Sequence, residues 1–115
     1  MGKMIYLDNA ATTKTAPEVV QAMLPYFSEY YGNPSSTHIL GAQSKLAVEA
    51  ARAKVAQLIN CEPGEVVFTS GGTESNNYAI IGAAMASKSR GNHIITSAIE
   101  HPAVIEVCEY LETQG

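Results

Sequence analysis

The chain has 115 residues, 46% of them hydrophobic and 16% charged, with a net charge of −4. That length is one domain's worth of material at most, and the composition is that of an ordinary globular protein. Its few Lys and Arg residues are scattered between Lys3 and Arg90. They form neither the basic stripe that a nucleic acid needs nor the basic cluster that draws a chain to anionic lipid.

The first residues, MGKMIYLDNAATT, hold one four-residue apolar run that Asp8 breaks. That run is too short for a signal peptide or a membrane span. Cys61 and Cys108 lie far apart with no CxxC spacing, so reduced thiols in a cytoplasmic chain are the simplest reading. His38, His93 and His101 show no metal-ligand spacing with these cysteines, and no metal site is expected.

Residues 4–7 read as a short strand or an extended arm, and DNAATTKTAP as irregular. Thr15 stands before Ala16-Pro17 as a candidate helix cap. Val19, Val20, Met23, Leu24 and Phe27 then recur at helical spacing, with Pro25 placed to bend the helix. YYGNPSSTHILG is a loop by its turn residues. A long helix is expected over about 42–59, with Leu46, Ala50, Val55, Leu58 and Ile59 on its apolar face. NCEPGE ends it.

Residues 66–70 are apolar enough for a strand buried on both sides, and a helix is expected over about 74–87. A second buried strand is expected over 93–99. Pro102 then opens a helix with Val104, Ile105, Val107, Cys108 and Leu111 inward. Strand–helix–strand–helix implies an α/β fold with a mostly parallel sheet behind a helical N-terminal segment. Two short strands make a poor sheet, so the chain reads as the front of something longer.

Four stretches carry chemistry. In VVFTSGGTESNN a strand runs through Gly71 and Gly72 into a helix. The first amides of a helix have no intrahelical acceptor, and its dipole favours negative charge there. Glycines remove blocking side chains and admit positive φ, and Thr73 and Ser75 add hydroxyls. Together they suit a phosphate cradle. The plain alternative is a tight turn with Thr73 as helix cap. Neither the P-loop nor the GxGxxG pattern is present, so a nucleotide is not indicated. In SAIEHPAV, Glu100 and His101 stand where the second strand ends. In a doubly wound sheet that edge is shared with Gly72 and Thr73, although a partly exposed cap residue is the plain alternative for His101. LDNAATT offers amides and small hydroxyls, or else an arm that packs on a partner. YGNPSSTH is a proline-set loop.

In this order and spacing, YLDNAATT, YGNPSSTHILG, VVFTSGGTESNN and IEHPAV resemble the front of a cysteine desulfurase of the nitrogen-fixation and general iron–sulfur branch. The resemblance covers nearly the whole chain. It implies a class-V aminotransferase-like enzyme of fold type I that uses pyridoxal 5′-phosphate. Residues 1–15 would be an N-terminal arm or small-domain segment, and 16–115 the incomplete start of the large cofactor-binding domain. By resemblance Gly72 and Thr73 hold the cofactor phosphate. His101 stacks on the pyridine ring, assists proton transfer and is the catalytic residue. Asn9 to Thr13 lie near the substrate and the dimer interface, and Asn33 to Ser36 near the active-site mouth.

The family's lysine that anchors the cofactor, the aspartate that pairs with the pyridine nitrogen and the sulfur-accepting cysteine have no match here. Neither Cys61 nor Cys108 fits the last role. The implied reaction converts L-cysteine to L-alanine and an enzyme persulfide, whose sulfur goes to an iron–sulfur scaffold or another acceptor protein. This chain alone is expected to be inactive, and a homo-oligomer or companion chain is expected to cover it. A selenocysteine lyase, or another lyase of the superfamily, and a non-catalytic anion-binding or interaction module are the competing readings.

Overall fold

The computed structural model describes residues 4–115, so Lys3 and the first residues of the expected N-terminal arm lie outside the described residues. The chain divides between Val66 and Val67 into two compact units. Among the described residues five α-helices form: α1 (Pro17–Met23), α2 (Pro25–Ser28), α3 (Ile39–Ile59), α4 (Gly72–Ser87) and α5 (Pro102–Glu112), with a short 3-10 turn at Pro63–Glu65.

In the first unit, residues 4–7 are neither helix nor strand. The Tyr6 hydroxyl donates to the Asp8 carbonyl at 2.8 Å and lies 2.6 Å from Thr12 Oγ1, closing the DNAAT turn. α1 starts one residue later than a Thr15 cap requires: Ala16 is the cap, with no side-chain bond, and Pro17 supplies the preset φ of the first position. Pro25 divides α1 from α2. Leu24 stays in the right-handed region with φ −50 and ψ −44, so the chain keeps its direction while the proline's missing N–H interrupts the ladder.

The loop at 32–38 packs closely on the start of its own following helix. Asn33 Oδ1 accepts from Ser35 N at 2.9 Å, and Ser36 N donates to the Asn33 carbonyl at 2.9 Å. His38 caps α3 by accepting from Gly41 N at 3.4 Å through Nδ1, and Ser44 Oγ donates to the Tyr30 carbonyl at 3.2 Å. α3 therefore begins three residues before the expected Ala42, because an imidazole supplies the cap. It ends at Asn60, a left-handed residue with φ 56 and ψ 51. Cys61 N reaches back to the Ala56 carbonyl at 3.0 Å, the closing bond of a Schellman-type end. Glu62 N donates to Glu65 Oε2 at 2.8 Å across the 3-10 turn. Arg52 pairs with Glu49 at 3.2 Å and donates to the Val66 carbonyl.

The second unit is a helix pair. Ala103, Val107 and Leu111, spaced four apart along α5, are its buried stripe. α4 and α5 pack on one another, and Lys88 Nζ at the end of α4 donates to the Gln114 carbonyl just past the end of α5 at 3.3 Å. The two C-terminal ends therefore meet, and the helices run in the same direction.

Two expectations need correction. Among the described residues neither 66–70 nor 93–99 forms a strand, and both are largely solvent-facing, with Ile95 88% and Ile99 94% exposed. A parallel strand is stable when neighbours complete its ladder and helices cover both faces, and two short segments cannot supply that cover. The expected apolar face of α3 is also open. Leu58 is 84% exposed, while the buried positions of that helix are Gly41, Ser44 and Ala56.

Candidate functional site

The turn TSGGTES is built by its own side chains. Gly71 caps α4, with Gly72 in its first position and Thr73 in its second, so Thr73 is not the cap. Gly71 is extended, with φ 164 and ψ −176, a backbone that any residue adopts. Neither glycine lies in the left-handed region that the pair was free to adopt. What the glycines contribute is open space: a Cβ placed on either meets nothing within 4 Å.

The lip of the turn is tied down on both sides. Thr69 Oγ1 lies 2.6 Å from Ser75 Oγ, and the Gly71 carbonyl accepts from Ser75 N and Ser75 Oγ, both at 3.1 Å. Glu74 Oε2 accepts from Ser70 Oγ and from Ser70 N, each at 2.6 Å. The Ser70 hydroxyl, and then the Ser70 amide, hold the Glu74 carboxyl below its ordinary value, against a small opposing effect of desolvation. The sequence reading missed this lock. Its signal was a carboxylate in the first turn of the helix, Glu74, four residues after Ser70, whose hydroxyl and amide it accepts from.

With the turn fixed, the amides of Gly72 and Thr73 donate to no acceptor among the described residues, and Thr73 Oγ1 likewise has no partner there. All these residues are exposed. Two amides and a hydroxyl at the positive end of a sixteen-residue helix suit a dianionic phosphate.

His101 caps α5. Its Nδ1 accepts from Ala103 N at 3.0 Å, and Pro102 between them has no N–H to compete. Because α4 and α5 run the same way with their C-terminal ends together, both helix starts open at the same end of the pair. His101 precedes Gln114 by as many residues as Ser75 precedes Lys88. In residue count, His101 corresponds to Ser75 in the first turn of α4. Gly72 and Thr73 open α4 and His101 heads α5, and no strand joins them among the described residues.

A cavity of about 880 Å³ opens at the other end of the pair, lined in part by Ile80, Ala84, Ile94, Ile105, Cys108 and Leu111. It touches none of the three site residues. Cys61 and Cys108 are both free and half-buried. Among the described residues no group of His, Cys, Asp and Glu could hold a metal ion, and no helix is long and apolar enough to cross a membrane. Residues 9–13 and 33–36 belong to the first unit.

α4 starts with bare amides behind two glycines, donors of a kind that suits an anion, and its neighbour α5 is headed by an imidazole. The chain belongs to the class-V aminotransferase family, which it matches over residues 5–115. It is 54% identical over 113 residues to "Cysteine desulfurase IscS" of Methanosarcina thermophila, covering 98% of this chain and 28% of that relative. It is 49% identical over 115 residues to "Cysteine desulfurase IscS" of Clostridium botulinum (strain Hall), covering 100% of this chain and 29% of that one.

Among solved structures, a "NifS-like protein" superposes with a TM-score of 0.82 at 41% identity, over 93% of this chain and 29% of its own. DndA from Streptomyces lividans superposes with a TM-score of 0.74 at 46% identity, over 96% and 31%. The chain therefore spans less than a third of the length of these relatives.

Proposed function

We propose that the chain is the N-terminal portion of a pyridoxal 5′-phosphate-dependent cysteine desulfurase of fold type I. In this reading residues 1–15 are an arm and 16–115 begin the large cofactor-binding domain. The observation that carries the proposal is the pair of acceptor-free amides at Gly72 and Thr73 where α4 begins, with His101 heading the helix α5 that packs on α4. Relatives named cysteine desulfurase at about half identity over the whole chain support it.

The cofactor, when bound, supplies the electron sink for breaking bonds at the substrate's α-carbon. This chain's residues hold and orient it. The Gly72 and Thr73 N–H groups and Thr73 Oγ1 receive the phosphate, Glu74 and Ser70 keep the turn from closing over those donors, and His101 faces the ring. The complete enzyme converts L-cysteine to L-alanine and carries the sulfur as a persulfide to an iron–sulfur scaffold or another acceptor protein. Its anchoring lysine and sulfur-accepting cysteine belong to sequence outside these 115 residues, so this chain alone has no desulfurase activity. The exposed apolar surface of α3 and of segment 93–99 is covered by the remaining polypeptide and by a second copy.

The test is a titration of the labelled chain with pyridoxine 5′-phosphate, which has the cofactor's phosphate and no aldehyde to react with surface lysines. Pyridoxine serves as the control. The Gly72 and Thr73 amide signals shift with the phosphate ester, and pyridoxine binds at least about tenfold more weakly, the equivalent of ~1.4 kcal/mol. Thr73→Val, which removes one donor to a charged group, weakens binding by about ten- to a hundredfold, or roughly 1.5–3 kcal/mol. Equal binding of the two compounds, or stationary amides at 72 and 73, defeats the proposal.

A further inference from the structure

We draw no further inference here: the strongest candidate, the cavity of about 880 Å³ between the C-terminal halves of α4 and α5, lined in part by Ile80, Ala84, Ile105 and Leu111, is an unpartnered apolar face, and nothing in the structure shows what covers it.

Discussion

The same substitution, glycine to alanine, is expected to act in opposite directions at two helical positions of this chain. Gly41 is the third residue of α3, under the folded-back loop. A Cβ there runs into the Ser36 carbonyl and lies 2.7 Å from the Asn33 carbonyl. Both are backbone atoms of a turn held by the Ser36 N to Asn33 O bond of 2.9 Å, so neither can swing aside. Overpacking of this kind costs about 1–3 kcal/mol, and losing the turn bond costs about 1 more. The helix preference of alanine over glycine offsets about 1 kcal/mol. The net for Gly41→Ala is roughly 1–3 kcal/mol of destabilisation. Gly82 lies inside α4 with nothing within 4 Å of an added Cβ, so Gly82→Ala keeps the propensity gain of about 1 kcal/mol.

Amide hydrogen exchange reads the two units separately. Slow amides of α3 should exchange about 5- to 150-fold faster in Gly41→Ala, and those of α4 about fivefold slower in Gly82→Ala. Unchanged or slower exchange in α3 of Gly41→Ala would falsify the packing argument, because propensity alone predicts a gain there.

Two further outcomes follow from the turn chemistry. The Glu74 carboxyl titrates below the ordinary glutamate value because the Ser70 hydroxyl and amide bond its charged form. A depressed folded pKa adds stability that is present above the unfolded value and lost as pH falls through the folded one. Ser70→Ala should therefore move the Glu74 midpoint upward in a carbon-detected titration, and order at the start of α4 should fade on acidification in the parent chain but not in Glu74→Gln. Replacing Pro25 with alanine should join α1 and α2 into one helix over 17–28, since Leu24 is already helical and the missing N–H is the break. Interior proline costs ~3 kcal/mol, and added helical circular dichroism reports the change. An unaltered spectrum argues that the loop after Ser28, and not Pro25, limits the helix.

Much of the helical framework was legible because its signals are local. Pro17 and Pro102 mark helix starts by their missing N–H, while Pro25, read as a bend, divides two helices; of the buried stripe of α5, Val107 and Leu111 were read as inward and Ala103 was not. His101 was read correctly as standing at a helix start. His38 was missed as a cap because imidazole is an uncommon one and the Thr37–His38 stretch reads as loop. Thr73 was misplaced as a cap because the Ser70–Glu74 and Thr69–Ser75 bonds move the start of α4 back to Gly71. The expected strands failed for a different reason. An apolar run shows that a segment will be buried when it is paired, and does not show whether a partner is present.

By itself the sequence determined the family, through four short stretches in order, and it determined where most helices begin, through caps and prolines whose effects reach only a few residues. Tertiary structure alone decided that α4 and α5 run in the same direction, that the Gly72 and Thr73 amides stay without an acceptor, and that Gly41 can carry no side chain. Each of these depends on two backbone segments meeting in space, and no property of either segment alone fixes the meeting.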